Sequence, residues 1–189
     1  MRIWNGGGDM GVAARRRQWY LALGDFLFTV AAGTALHFLW GWTGGNRIAA
    51  AFCSVNESVW EHMKLLFFPA FLLSMAEVWL RDSRNFLAVR GVSLWIGTAL
   101  IPVLYYTYSG IVGFHTLWAD IAVFLVSAAA VFLLDWRFGR TGRFTSGWQQ
   151  AAGLAALWAL ALLFVLWTYR PPRLPLFWDA AAGVYGLAS

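Results

Sequence analysis

Charge is scarce in this 189-residue chain. Only 12% of its residues are Asp, Glu, Lys or Arg, against about 25% in an ordinary soluble domain, and so low a share excludes a water-soluble globule. Cysteine occurs once, at Cys53, which excludes an intramolecular disulfide and a cysteine-based zinc cluster. Alternating apolar and polar segments of about ten residues are missing too, and without them a transmembrane β-barrel is excluded. Aromatic residues, in contrast, are plentiful: 13 Trp, 15 Phe and 6 Tyr are far more than a disordered chain carries.

The apolar residues, 60% of the chain, fall into five runs: Trp19 to Trp42, Val55 to Leu80, Phe86 to Tyr106, Leu117 to Trp136 and Gly147 to Tyr169. Each is long enough for a helix to cross a hydrocarbon core of about 30 Å, which takes roughly 20 residues. The predicted fold is therefore an all-α polytopic membrane protein of five transmembrane helices. Residues 1–18 read as a flexible basic tail containing Asn5 to Asp9, residues 19–169 as the helical domain, and residues 170–189 as a proline-rich tail. With the N-terminus inside, Arg2, Arg15, Arg16, Arg17, Arg81, Arg84, Arg90, Arg137, Arg140 and Arg143 lie on the inner side, and Arg47, Lys64, Arg170 and Arg173 on the outer. This asymmetry obeys the positive-inside rule and predicts an outer C-terminus in the cell membrane. Tryptophans mark both boundaries: Trp19, Trp79, Trp136 and Trp148 inside, and Trp40, Trp42, Trp60, Trp118, Trp167 and Trp178 outside. The paired arginines before the first run also suit an export signal, but that run is longer than a signal-peptide core and four more follow it.

The net charge of +5 is spread over separate segments, so membrane lipids rather than nucleic acid are the expected partners, with a protein partner or a second copy of the chain as a further expectation. Ser54 and Glu57 in "SVNE" match a capping box, which starts the second helix at about Val55. Pro69 and Pro102 predict kinks in runs two and three. Gly24, Gly33, Gly97 and Gly153 offer close helix contacts.

Ionisable groups inside a membrane are costly, so their placement is informative. Most lie near the predicted outer surface: His37 near the end of run one, Glu57, Glu61, His62 and Lys64 at the start of run two, and His115 and Asp120 at the start of run four. Imidazole and carboxylate together suit zinc, iron or manganese, so His37, Glu61, His62, His115 and Asp120 are candidate ligands of a divalent ion. Glu57, Glu61 and Asp120 are candidate catalytic carboxylates. At 100° per residue Glu57, Glu61 and Lys64 share one helical stripe, and two carboxylates there repel unless a cation, a proton or Lys64 separates them. The alternatives are a hydrogen-bonded network that fixes packing, with Lys64 neutralising Glu61 and Glu57 spent on capping, and proton or solute chemistry. Toward the inner side, Asp25 is expected to pair with Arg90, while Glu77 and Asp135 snorkel to nearby arginines. The cluster Tyr105, Tyr106 and Tyr108 reads as an interface anchor or a donor into the site.

The segments "NESVWEHMKLLFFP" (Asn56 to Pro69), "YTYSGIVGF" (Tyr106 to Phe114), "WADI" (Trp118 to Ile121) and "PPRLPLFWDAAAGVYG" (Pro171 to Gly186) resemble a bacterial family of small multi-pass membrane proteins of unknown function. The resemblance implies no reaction, and it points to Asn56, Glu57, Glu61, His62, Asp120 and Asp179 as positions to test. In the tail, Pro171, Pro172 and Pro175 forbid helix. The tail then either lies in the headgroup layer on Phe177 and Trp178 or folds back as a lid that carries Asp179 to the histidines. Two function classes follow: a membrane enzyme, a metal-assisted hydrolase of a lipid or peptide, and a non-enzymatic protein, either a packing subunit or a small-solute or proton carrier.

Overall fold

A computed structural model describes residues 11–81 and 83–187. Arg2 and the Asn5 to Asp9 stretch lie outside the described residues. Those residues form α1 (Val12–Trp42), a four-residue α2 (Arg47–Ala50), α3 (Val59–Glu77), α4 (Phe86–Val112), α5 (Leu117–Phe138) and α6 (Gly147–Tyr169), followed by a 3-10 turn (Pro175–Phe177) and a two-stranded hairpin of β1 (Trp178–Asp179) and β2 (Val184–Tyr185). The predicted helical class holds. Four helices are long and apolar enough to cross a membrane: α1 from Arg15, α4, α5 and α6.

The helix of the second run differs from these four. Glu61, His62 and Lys64 lower its mean hydropathy, and it is the more deeply packed helix: thirteen of the 19 residues of α3 are buried. It packs against α1, α4 and α6, while α4 also packs on α5 and α6 and α5 on α1. Leu66, Phe67, Phe68 and Phe71 of α3 meet Leu94 of α4 and Leu157, Leu160 and Phe164 of α6 in the core. In lipid such packing gains little from water exclusion and depends on close backbone approach. Glycine permits it at Gly33, where a Cβ would collide with the Leu65 carbonyl of α3, and at Gly97, where it would strike Val131 of α5. A Cβ on Gly91 would lie 2.8 Å from the Gly153 carbonyl, and one on Gly153 would lie 2.7 Å from Ala88 Cα. Gly91 thus joins the expected set. Gly24 leaves it, because nothing lies within 4 Å of the place its Cβ would take.

The chain's turns gather into two ends. At one, called here the histidine end, α1, α4 and α6 finish and α3 and α5 begin; the opposite, arginine end carries Arg81, Arg84 and Arg90. Exposed Trp42 and Trp118 at the first and Trp19, Trp79 and Trp148 at the second suit two aromatic belts. Trp60 does not belong to a belt. It is 4% exposed and stacks among Phe164, Trp167 and Phe177, because the C-terminal tail covers it.

Candidate functional site at the histidine end

The start of α3 decides which ionisable groups meet. The N-cap is Ser58, not Ser54: its side chain accepts from the Glu61 amide at 3.4 Å, and the helix begins at Val59, four residues later than expected. Both serines stand three residues before a glutamate, so the local signature is ambiguous, and the outcome is set by what each side chain does. Ser54 Oγ donates to the Asn56 carbonyl, and Asn56 Oδ1 accepts from the Ser58 amide at 2.9 Å, closing a turn in which Glu57 has no helical neighbour. The expected stripe of Glu57, Glu61 and Lys64 is therefore broken, and the repulsion between its carboxylates never arises.

Glu61 and Lys64 point into the bundle. Lys64 Nζ lies 2.6 Å from Glu61 Oε2 and donates to Thr168 Oγ1 at 2.8 Å and to the Ala50 carbonyl at 2.9 Å. All three ammonium hydrogens of the chain's single lysine have acceptors. Glu61 also accepts from Thr168 Oγ1 at 3.0 Å and from the Val55 amide at 3.2 Å. With both side chains at or below 2% exposure, this carboxylate is held inside the bundle by Lys64, Thr168 and Val55, and Glu61 is not in the cluster with the histidines.

The histidines of α1 and α3 do meet, with Glu57 as the carboxylate. One ligand atom each of His37, Glu57 and His62 lies within 4.8 Å of the other two. His37 and His62 have ring centroids 5.3 Å apart. His62 Nδ1 is 2.9 Å from the Ser58 carbonyl, which can only accept, so this nitrogen carries the hydrogen and Nε2 presents its lone pair in the neutral ring. Nε2 faces Glu57 Oε2 at 3.4 Å. Two acceptors so opposed need a cation or a proton between them. His37 Nδ1 is buried and makes no hydrogen bond. With a proton between His62 and Glu57, the hydrogen bond from His62 holds the Glu57 carboxyl below the ordinary glutamate range, outweighing partial burial, which acts in the opposite direction.

His115 and Asp120 form a second, separate pair. His115 precedes the N-cap Thr116 of α5, so it lies off the helix, and its Nδ1 reaches Asp120 Oδ2 at 3.0 Å. Tyr108 donates to the other Asp120 oxygen, and the Tyr105 ring packs on His115. Asp120 bonds to His115 and Tyr108 and is not a member of the cluster of His37, Glu57 and His62. The five expected ligands are thus divided three ways, and Glu57, read from sequence as catalytic, is the carboxylate that stands beside His37 and His62.

The tail folds back over this end. Phe177, 3% exposed, inserts beside Trp60 and Trp167, and Asn56 Nδ2 donates to the Gly186 carbonyl at 2.8 Å. Gly186 has φ +62°, and a Cβ there would lie 2.8 Å from the Thr168 carbonyl. Asp179 comes to the site as the lid alternative expected, but its carboxylate is occupied: Oδ2 accepts from the Glu57 amide at 3.0 Å, and Oδ1 from the Ala181 and Ala182 amides at 2.8 and 3.0 Å. Burial pushes the Asp179 carboxyl up, and these three backbone donors outweigh it, leaving the group below the ordinary aspartate range.

The arginine end holds a network that was legible only in part. Arg90, fully buried, donates to Asp25 Oδ2 at 3.0 Å, the expected pair. Glu77 and Asp135 do not snorkel outward. They converge on the same guanidinium, Glu77 Oε2 at 3.1 Å and Asp135 Oδ2 at 2.6 Å, and Arg81 ties Asp25 to Glu77. The available signal was that three carboxylates from three helices fall at one depth near two arginines.

A model described as "Family of unknown function (DUF6512)" matches residues 10–187 of the chain. No curated protein and no solved structure matches.

Proposed function

We propose that this chain, which belongs to the DUF6512 family of unknown function, is a five-span cell-membrane protein with its N-terminus inside, whose outer, histidine end holds a divalent transition-metal ion on His37, Glu57 and His62 and acts hydrolytically on a lipid or peptide at the membrane surface. The observation that carries this is His62 Nε2 set 3.4 Å from the Glu57 carboxylate, with His37 completing a cluster whose ligand atoms all lie within 4.8 Å of one another. Ligands about 2.0–2.1 Å from a tetrahedral zinc lie about 3.4 Å apart, so the 4.8 Å cluster closes on an ion through small side-chain rotations. Glu57 is 60% exposed, which leaves a position open to water or substrate, and an ion there supplies a Lewis acid and a bound water acidic near neutral pH. Elemental analysis of the detergent-purified protein tests it: near one zinc, iron or manganese per chain is expected, absent from His37→Ala and His62→Ala. Metal far below stoichiometry in the wild type would reject the proposal.

A second reading is supported by the Glu61–Lys64–Thr168 and Arg90 networks, whose charged groups are spent on one another. These suit a non-enzymatic subunit whose polar groups fix helix packing. It predicts that His62→Ala alters assembly or expression and leaves metal content as it was.

A further inference from the structure

We infer that Asp179, in the C-terminal hairpin, is a positioning residue for the ion ligand Glu57: by fixing the Glu57 amide it sets where that carboxylate stands against His62, so the tail is part of the metal centre. This rests on the metal reading above. Glu57 follows a turn rather than standing on a helix, and its backbone is held from one side by Asn56, which receives the Ser58 amide, and from the other by Asp179. No helical hydrogen bond fixes it. A ligand on such a turn keeps its direction only if the turn is held, and the groups that orient ligands typically contribute 10–100-fold in metal affinity.

The tail is built to deliver one carboxylate there. Phe177 is locked among aromatic rings of α3 and α6, and the antiparallel hairpin pairs Trp178 with Tyr185 and Asp179 with Val184. Asp179 is 2% exposed, yet only one of its oxygens serves its own turn. The other crosses to α3's leading turn. Asparagine separates these two roles. Its single side-chain oxygen can keep the Ala181 and Ala182 amides, which leaves its NH2 opposed to the Glu57 amide, donor against donor. D179N therefore preserves the hairpin and releases Glu57.

The test is zinc affinity by competition with a chromophoric chelator, and the visible spectrum of the cobalt(II) form, for the full-length wild type, D179N, E57A and the D179N/E57A pair. D179N is expected to weaken zinc by about 10- to 100-fold, to shift the cobalt spectrum toward that of E57A, and to weaken zinc no further once Glu57 is alanine. If D179N disturbs folding, D179A read in the same cycle serves in its place. Unchanged affinity in D179N, or an equal loss in the E57A background, overturns the inference and leaves the metal centre standing. A wild type that binds neither zinc nor cobalt overturns both.

Discussion

Replacing Lys64 with methionine leaves the Glu61 carboxylate in the bundle with only the Thr168 hydroxyl and the Val55 amide. Removing one partner of a buried ion pair typically costs about 3–5 kcal/mol. An independent ceiling comes from protonating the orphaned acid at pH 7, which for a glutamate that ordinarily titrates near 4.3 costs about 3.7 kcal/mol. The two agree, so a loss of about 3–4 kcal/mol is expected. Replacing both groups, Glu61→Leu with Lys64→Met, removes the buried charge altogether. What is lost then is hydrogen bonds to the Ala50 carbonyl and the Val55 amide, about 1 kcal/mol each, while the Thr168 hydroxyl, whose one hydrogen is shared between Glu61 and the Phe164 carbonyl, turns to that carbonyl. The double variant should therefore be within about 2 kcal/mol of the wild type. Equilibrium unfolding in mixed detergent micelles, followed by circular dichroism, measures both. Metal content, read on the same samples, should not change in the double variant. A single-variant loss under about 1 kcal/mol, or loss of metal with stability intact, would refute the assignment of Glu61 to packing.

Three further outcomes are expected. His62→Ala should remove bound zinc, measured by elemental analysis, while changing unfolding stability by less than about 1 kcal/mol, because His62 is only partly buried and its carbonyl partner keeps a helical bond. Gly153→Ala should separate α4 from α6 and cost about 1–3 kcal/mol by overpacking, whereas Gly24→Ala, facing open space, should stay within about 0.5 kcal/mol. Because Asp179 is held below its unfolded value of about 3.9, its contribution to tail docking is fully present above that value and is lost as pH falls through the folded one; tryptophan fluorescence from Trp60 and Trp167 should report release of Phe177 only below about pH 4, and release between pH 5 and 7 would contradict it.

Helices were legible because apolar runs of about 20 residues permit little else in lipid. Positions that depend on one side chain's choice between two partners were not. Ser54 and Ser58 carry the same spacing to a glutamate, and only the Asn56 turn, itself anchored to Gly186 130 residues away, selects the second. That four-residue shift moved Glu57 off the helix and left it, rather than Glu61, beside the two histidines. Convergence of His37 with His62 was readable from depth alone, since both sit about the same distance from their helix ends. On an ideal helix His115 would stand about 140° from Asp120. It pairs with that residue because it stands in the preceding loop. Glu77 and Asp135 were misplaced because proximity to arginines in sequence suggested exposed pairing, while the fully buried Arg90 draws them inward.

Polar groups confined to one end would be a ground against transport, and the structure removes that ground: Asp25, Glu77, Arg81, Arg90 and Asp135 form a dense charged layer at the arginine end. A different one replaces it. Along α3, Lys64 and Ser74 are the nearest buried polar residues of the two layers, ten residues or about 15 Å apart at the helical rise. Between them lie Leu65, Leu66, Phe67, Phe68, Pro69, Ala70 and Phe71, all buried, with the Phe164 ring of α6 tilted against Phe67 and Phe68. A proton or hydrated solute would have to cross this stretch with few groups to receive it, at a cost that grows with every apolar turn. Two polar layers separated by an aromatic plug suit a protein that keeps each layer for a different purpose: the arginine end to join α1, α3, α4 and α5 through one guanidinium, and the histidine end, where Glu57, His62 and His115 are open to the surface, for chemistry. A Phe67→Ser variant should accordingly lower stability without creating proton flux in liposomes, and flux in the wild-type protein would reverse the order of the two readings.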